Sequence, residues 1–184
     1  DPKSSLTLDT YYKTSADIIG NVNYLYRDGA PDKMGNMTGA YRGSSLSVMN
    51  MVTGYFVNEY EGQEVDCSYA RQLTRQDFTQ SCCNYLTNDT WKSCYKSINV
   101  ANAVIKYVDG VEMDNQAQYK AEARFFRALN YFYLVKMFGD VPMVTEPTED
   151  ATLVEYPTRT AASEVFNTVI IPDLQFAVEN LPNA

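Results

Sequence analysis

The sequence predicts an all-α fold, and three observations carry that prediction. Apolar residues recur at helical spacing over three long stretches, about Thr90 to Val108, Asn115 to Phe138 and Ala161 to Leu181. Each stretch is closed by a helix breaker: Gly110, Gly139 and Pro182. The link between the first two is short, and two helices joined by a short link pack antiparallel. At 184 residues the chain is long enough for one domain with its own core.

Taken in order, Asp1 to Tyr12 is polar and reads as extended, with Pro2 near its start. Ser15 is placed to cap a helix that runs to about Asp28, with Ile18, Val22 and Leu25 as its apolar stripe and Gly29 after it. Residues 30 to 43 read as a loop, since Gly29, Pro31, Gly35 and Gly39 break it repeatedly. Ser44 to Tyr60 carries a partial stripe of Leu46, Met49 and Val52, or of Met51 and Tyr55, which a helix would use, but Gly54 weakens it. Glu61 to Thr90 has no clear period and reads as a long connection with short helical turns. Connections of that length inside a domain are commonly functional.

From Thr90 to Val108, Tyr95, Ile98, Ala101 or Asn102, Ile105 and Val108 keep helical spacing. In the next stretch Ala121, Phe125, Ala128, Phe132 and Val135 recur. Phe126, Leu129, Tyr133 and Met137 fill neighbouring rows. Apolar residues cover most of this helix beyond Phe125, so it should be buried on several sides. Lys120, Arg124 and Arg127 form a narrow polar edge, and Asp114 or Asn115 is placed to cap its start. Val141 to Thr160 holds Pro142, Pro147 and Pro157 and reads as a non-helical excursion. The last helix has Phe166, Ile170, Leu174, Ala177 and Leu181 on its stripe, with Pro172 expected to kink it. Its apolar face is left in need of a partner, which suggests a longer protein.

Composition narrows the function. The formal net charge is −8 and no basic run occurs, which argues against a nucleic-acid backbone as partner. No apolar run approaches the roughly 20 residues of a membrane-spanning helix. The chain has no histidine, so Ser-His-Asp and Cys-His catalysis and His-ligated metals are excluded. No Gly-rich phosphate loop is present. Glu59, Glu61, Glu64 and Asp66 are densely acidic but lack the spacing of a calcium loop, so they read as a solvated face. No metal or other cofactor is called for. Cys67, Cys82, Cys83 and Cys94 do not match a zinc ribbon; they are either reduced thiols or make one or two disulfides, for example Cys67 with one of Cys82 and Cys83 and Cys94 with the other. The 15 tyrosines are numerous, and tyrosine serves both helix packing and flat-faced ligand contact.

Four segments together resemble the SusD/RagB-like family of outer-membrane glycan-binding lipoproteins of Bacteroidetes. Tyr12-Lys13-Thr14 before a helix is the first, and Trp91, Tyr95, Ile98 and Asn102 are the second. The third and most specific runs Glu122-Ala-Arg-Phe-Phe-Arg-Ala-Leu129, Tyr131-Phe132 and Phe138-Gly-Asp-Val-Pro142. Arg159, then Asp173-Leu174, Ala177 and Leu181-Pro182 complete the series. The resemblance implies a scaffold of tetratricopeptide-like helical hairpins with long irregular loops. The chain would be a single helical domain, the N-terminal portion of a longer SusD-like protein. It implies no enzyme but a surface protein that captures oligosaccharides or polysaccharides and delivers them to a SusC-type TonB-dependent transporter. The protein would sit on the extracellular face of the outer membrane through an N-terminal lipid anchor absent from this chain. Family members contact glycans through loop aromatics, which makes Tyr69, Tyr85 and Trp91 the ligand-binding candidates; Trp91 also suits core packing. Arg124, Arg127 and Asp140 read as structural. Two rivals remain: an all-α protein–protein interaction module without glycan binding, whose helix pairs would form a concave surface, and a glycosidase, which has acids but no recognisable pair.

Overall fold

The computed structural model describes residues 7–28, 50–56, 72, 74–77, 81–148 and 157–182, with the backbone alone for 9, 28 and 81–89. Its centre is a helical hairpin. Helix α3 spans Ser81–Tyr107 and α4 spans Gln116–Phe138; α1 (Leu8–Tyr11) and α2 (Ser15–Asp28) precede them. A single 3₁₀ turn, Val108–Gly110, follows α3. The Gln116 side-chain amide donates back to the Val108 and Val111 carbonyls and so closes the link. Cross-contacts run in opposite order along the two helices: Trp91 meets Phe138, Tyr95 meets Tyr131, and Asn102 meets Arg127. The hairpin is therefore antiparallel, as its short link requires.

The circumference of α4 explains the rest of the architecture. Its buried residues include Ala121, Ala123, Phe126, Ala128, Tyr131, Leu134 and Val135. These point in different directions, because three elements pack around this one helix. Ile18, Val22 and Leu25 of α2 meet Ala101, Val104, Ala123 and Phe126 in one core cluster. Cys94, Ile98, Tyr131 and Leu134 meet Val141, Val165, Val169 and Ile170 in a second. Each fully buried Leu or Ile side chain contributes about 1.5–3 kcal/mol. The second cluster draws on the last helical segment, which has three parts: α5 (Ala162–Val165), a π-helical turn (Phe166–Ile170) and α6 (Ile171–Asn180). Among the described residues there are no strands. One antiparallel backbone bridge joins Val141 to Thr160, at 3.1 and 2.9 Å.

Several local expectations change. The start of the chain is not extended throughout: Thr7 N–H donates to Thr10 Oγ1 at 2.9 Å and one helical turn forms at Leu8–Tyr11. Helix α2 is capped at Thr14 rather than Ser15. Asp17 Oδ2 accepts from the Thr14 N–H (2.8 Å) and hydroxyl (2.7 Å), so the carboxylate three residues on closes the N-terminus. Those hydrogen bonds hold the Asp17 carboxyl below the usual carboxylate range. Asn115 stands at the start of α4, but in a left-handed conformation (φ 60°) and with no side-chain capping bond. Of the helix read over Ser44 to Tyr60, the described part turns off early: Thr53 N–H closes on Asn50 O at 3.3 Å, and Gly54 takes φ +78°.

Two larger corrections concern α3 and the cysteines. Residues 61–90 are not one connection, because α3 already begins at Ser81. A Cys94 disulfide to Cys82 or Cys83 is also overturned. All three lie on α3, and eleven residues of helix separate Cys94 from Cys83 by about 17 Å at 1.5 Å per residue, far beyond disulfide reach. Cys94 is a buried free thiol whose pKa burial raises to about 12. The Pro172 kink takes a definite form. In an unbroken α-helix the proline ring would clash with the carbonyl four residues back, and the wider π turn over Phe166–Ile170 precedes it instead.

Candidate functional site

The residues of the sequence signature form a joint. Arg127 Nε and Nη2 donate to the two carboxylate oxygens of Asp173 at 2.7 and 2.9 Å, and Nη1 donates to Asn102 Oδ1 at 2.9 Å. Asn102 Nδ2 in turn donates to the Val144 and Glu146 carbonyls, at 3.0 and 3.2 Å. Arg124 lies 3.7 Å from Asp173 Oδ1 and places its guanidinium 4.2 Å from the Phe176 ring centre. Thus Arg127 bridges the hairpin to α6, and Arg124 faces α6 alone.

The Gly139-Asp140-Val141-Pro142 turn is tied down residue by residue. Gly139 takes φ +69°, ψ −124°, a conformation open to glycine, and donates to Val135 O at 2.9 Å. Asp140 Oδ1 accepts from the Ala162 N–H at 2.9 Å and so caps α5. Asp140 O accepts from Arg159 Nη1 at 3.1 Å. The Tyr95 hydroxyl donates to Pro142 O at 2.7 Å. The Tyr131 hydroxyl accepts from Val144 N–H (2.7 Å) and donates to Val144 O (2.9 Å); burial raises its pKa to about 12. These groups have satisfied one another and leave little for a ligand.

The three ligand candidates fare differently. Tyr69 lies outside the described residues. Tyr85 belongs to helix α3 by its backbone, not to a loop; its side chain lies outside the described residues. Trp91 is half-buried, 5.0 Å from the Tyr95 ring centre and 5.1 Å from that of Phe138. It closes the open end of the hairpin.

The sequence reading missed two other exposed aromatics. Tyr55 is 90% exposed and Phe56 beside it is exposed as well. The positive φ of Gly54 precedes them, and the Thr53 hydroxyl accepts from Tyr55 N–H at 3.2 Å. Placing Tyr55 on a helical stripe hid them; Gly54 was the signal that the stripe ends. A cleft of about 280 Å³ lies elsewhere, between α1, α2 and α3. Thr7, Tyr11, Asn21 and Asn99 give it hydroxyl and amide groups, and Leu8 and Val100 give it apolar walls. Among the described residues no charged side chain lines it. Uncharged hydrogen-bonding groups beside an aromatic ring suit a neutral, hydroxylated ligand. Among the described residues no group of acidic and cysteine side chains could hold a metal ion.

Comparison with known proteins turns this architecture into a family assignment. A SusD-like family model, described as starch-binding and associating with the outer membrane, matches residues 30–184. The chain belongs to the SusD-like family. SusD-like protein P2 of Formosa agariphila is 26% identical over the whole chain, which spans 34% of that relative's length. A laminarin-binding SusD-like protein has the same fold, with a TM-score of 0.69 and 23% identity over 93% of this chain and 35% of that one. A structure determined with a xylogluco-oligosaccharide gives a TM-score of 0.67 and 23% identity over 91% of this chain and 30% of that one. The chain thus represents about a third of the length of the SusD-like proteins it matches. Its all-α, tetratricopeptide-like hairpin is the SusD-like fold.

Proposed function

We propose that this chain is the N-terminal portion of a longer, non-enzymatic SusD-like protein that captures glycans at the outer membrane. The observation that carries the reading is the family match over residues 30–184. The geometry supports it in two ways. The signature residues are consumed in the scaffold, so recognition falls to exposed aromatics such as Tyr55 and Phe56. The described lining of the Tyr11–Asn21–Asn99 cleft, hydroxyl and amide groups beside an aromatic ring, suits a polyol. Tyr69, Tyr85 and Trp91 remain candidates for stacking on sugar faces, and Trp91 also packs within the hairpin. Delivery to a SusC-type TonB-dependent transporter, and lipid anchoring on the extracellular face of the outer membrane, complete the proposal.

Affinity electrophoresis of the longer protein through gels cast with laminarin or xyloglucan tests it. Retardation by one of them is expected, with no reducing sugar released. Combined Tyr55→Ala and Phe56→Ala substitution should weaken retardation without lowering the Tm. Release of reducing sugar, or free migration through both gels, would overturn the reading. Co-purification of an outer-membrane barrel from native membranes tests the transporter.

A further inference from the structure

The cleft between α1, α2 and α3 keeps hydrogen-bonding valences open on each of the three helices. The Tyr11 hydroxyl accepts from Asn21 Nδ2 at 3.2 Å, which leaves its own proton to donate. Both Asn21 amide hydrogens are used, the second on Asp17 O at 2.8 Å, which leaves Asn21 Oδ1 to accept. Asn99 Oδ1 accepts from the Thr148 N–H at 2.7 Å, which leaves its Nδ2 hydrogens to donate. Leu8, Val100 and Ala103 line the same cleft with carbon. Tyr55 and Phe56 are not part of its described wall.

We propose that this cleft is a second saccharide site, built for one ring of a neutral sugar and separate from the exposed Tyr55 and Phe56. The inference deepens the glycan-capture reading and rests on it. Each hydroxyl of a sugar ring both donates and accepts at the ring's edge, while the ring faces carry C–H. Two donors and an acceptor around an apolar wall match that pattern. A metal cation would need carboxylates or a cluster of carbonyls. An anion would meet Asn21 Oδ1 with no cationic side chain in the described lining to offset it. Size sets the number of rings. The cleft holds about 280 Å³, just under the roughly 300–1,000 Å³ of pockets that enclose drug-sized ligands. One ring fits, and a chain would have to leave the cleft after its first unit. The site thus reads a terminal ring or a free monosaccharide, whereas stacking on exposed aromatics is indifferent to where along a chain the ring lies.

Hydrogen exchange of the longer protein, read by mass spectrometry with glucose, galactose, mannose or xylose added, decides the matter. Tyr11 N–H and Tyr12 N–H close the turn of α1 on Thr7 O and Leu8 O, so they report on a ligand seated against it. With one of these sugars at about ten times its half-saturating concentration, exchange at Tyr11 and Tyr12 should slow about tenfold. Exchange in α5 and α6 should not change, and glucuronate should protect less. A trisaccharide that ends in the same ring and protects equally identifies chain ends as the source. Protection by the free sugar alone identifies the monosaccharide, and either result supports the site. Protection by none of the four sugars, or equal protection by glucuronate, overturns the proposal. So does protection that survives Asn21→Leu combined with Tyr11→Phe but disappears on Tyr55→Ala combined with Phe56→Ala. Retardation of the same protein by laminarin or xyloglucan is scored separately. Retardation without protection at α1 sinks only the cleft, and protection without retardation sinks only polymer capture.

Discussion

Arg127 and Asp173, 46 positions apart, meet in a bidentate pair in which the Arg127 side chain is 9% exposed and the Asp173 side chain 3%. The pair fastens α6 to the hairpin, and Asn102 extends it to the segment after Pro142. Removing one partner leaves the other charge buried and uncompensated, which costs about 3–5 kcal/mol. Asp173→Ala should therefore lower the unfolding free energy by about that much in urea titration. A loss under 1 kcal/mol would mean that water reaches the site.

Gly139 should resist substitution for backbone reasons alone. A Cβ added there would meet nothing within 4 Å, so no clash arises. The strain of φ +69°, ψ −124° on a residue with a Cβ is about 1–3 kcal/mol. Gly139→Ala should destabilise by that amount, whereas Gly110→Ala, with equal space and no positive φ, should not. Paired thermal melts of the two variants test the difference.

Tyr131→Phe removes a hydroxyl that is both donor and acceptor to Val144. The Val144 N–H then loses its partner, at about 1–3 kcal/mol, while the Val144 C=O keeps the bond from Asn102 Nδ2. Hydrogen exchange at Val144 should speed up more than exchange within α4.

Alkali should unfold the protein through the same region. Burial raises Cys94 from its ordinary 9.0 to about 12, and Tyr131 from 10.0 to about 12. Both folded values lie above the unfolded ones, so the unfolded chain loses protons first. Their stabilising contribution is complete below pH 9 and is lost as the pH rises towards 12. Urea midpoints measured from pH 8 to 12 should fall, and Cys94→Ala should flatten the early part of the decline.

Acid acts at the start of α2. Hydrogen bonds from Thr14 lower the pKa of Asp17, so its contribution is present above the ordinary carboxylate range and is lost as the pH falls through its depressed value. Exchange of the first-turn amides of α2 should rise on acidification, and Asp17→Asn should remove most of that dependence.

The helical hairpin was legible because periodicity reports burial directly. From Phe125 to Phe138 apolar side chains on nearly all rows could mean only neighbours on several sides, and α2, α3 and α6 supply them. The first turns of α3 were not legible, because Ser81-Cys-Cys-Asn carries no apolar stripe and its helical state shows only in the backbone. The Arg127 row was visible as a polar edge, but its partner lies 46 residues on, and no local pattern pairs them. Tyr55 was obscured for the opposite reason: it fitted a stripe that Gly54 interrupts.

The π turn at Phe166–Ile170 makes the length of this segment matter as much as its composition. It winds one residue more into a turn than an α-helix would, which rotates everything after it by about 100° relative to everything before. Val165 and Val169 reach the Tyr131–Leu134 core, and Asp173 still reaches Arg127. Deleting one residue there would rewind a regular helix and swing Asp173 away from its guanidinium. Conservative apolar exchanges in residues 166–170 should thus be borne more easily than any single-residue gap, and length variation among related chains should fall outside this turn.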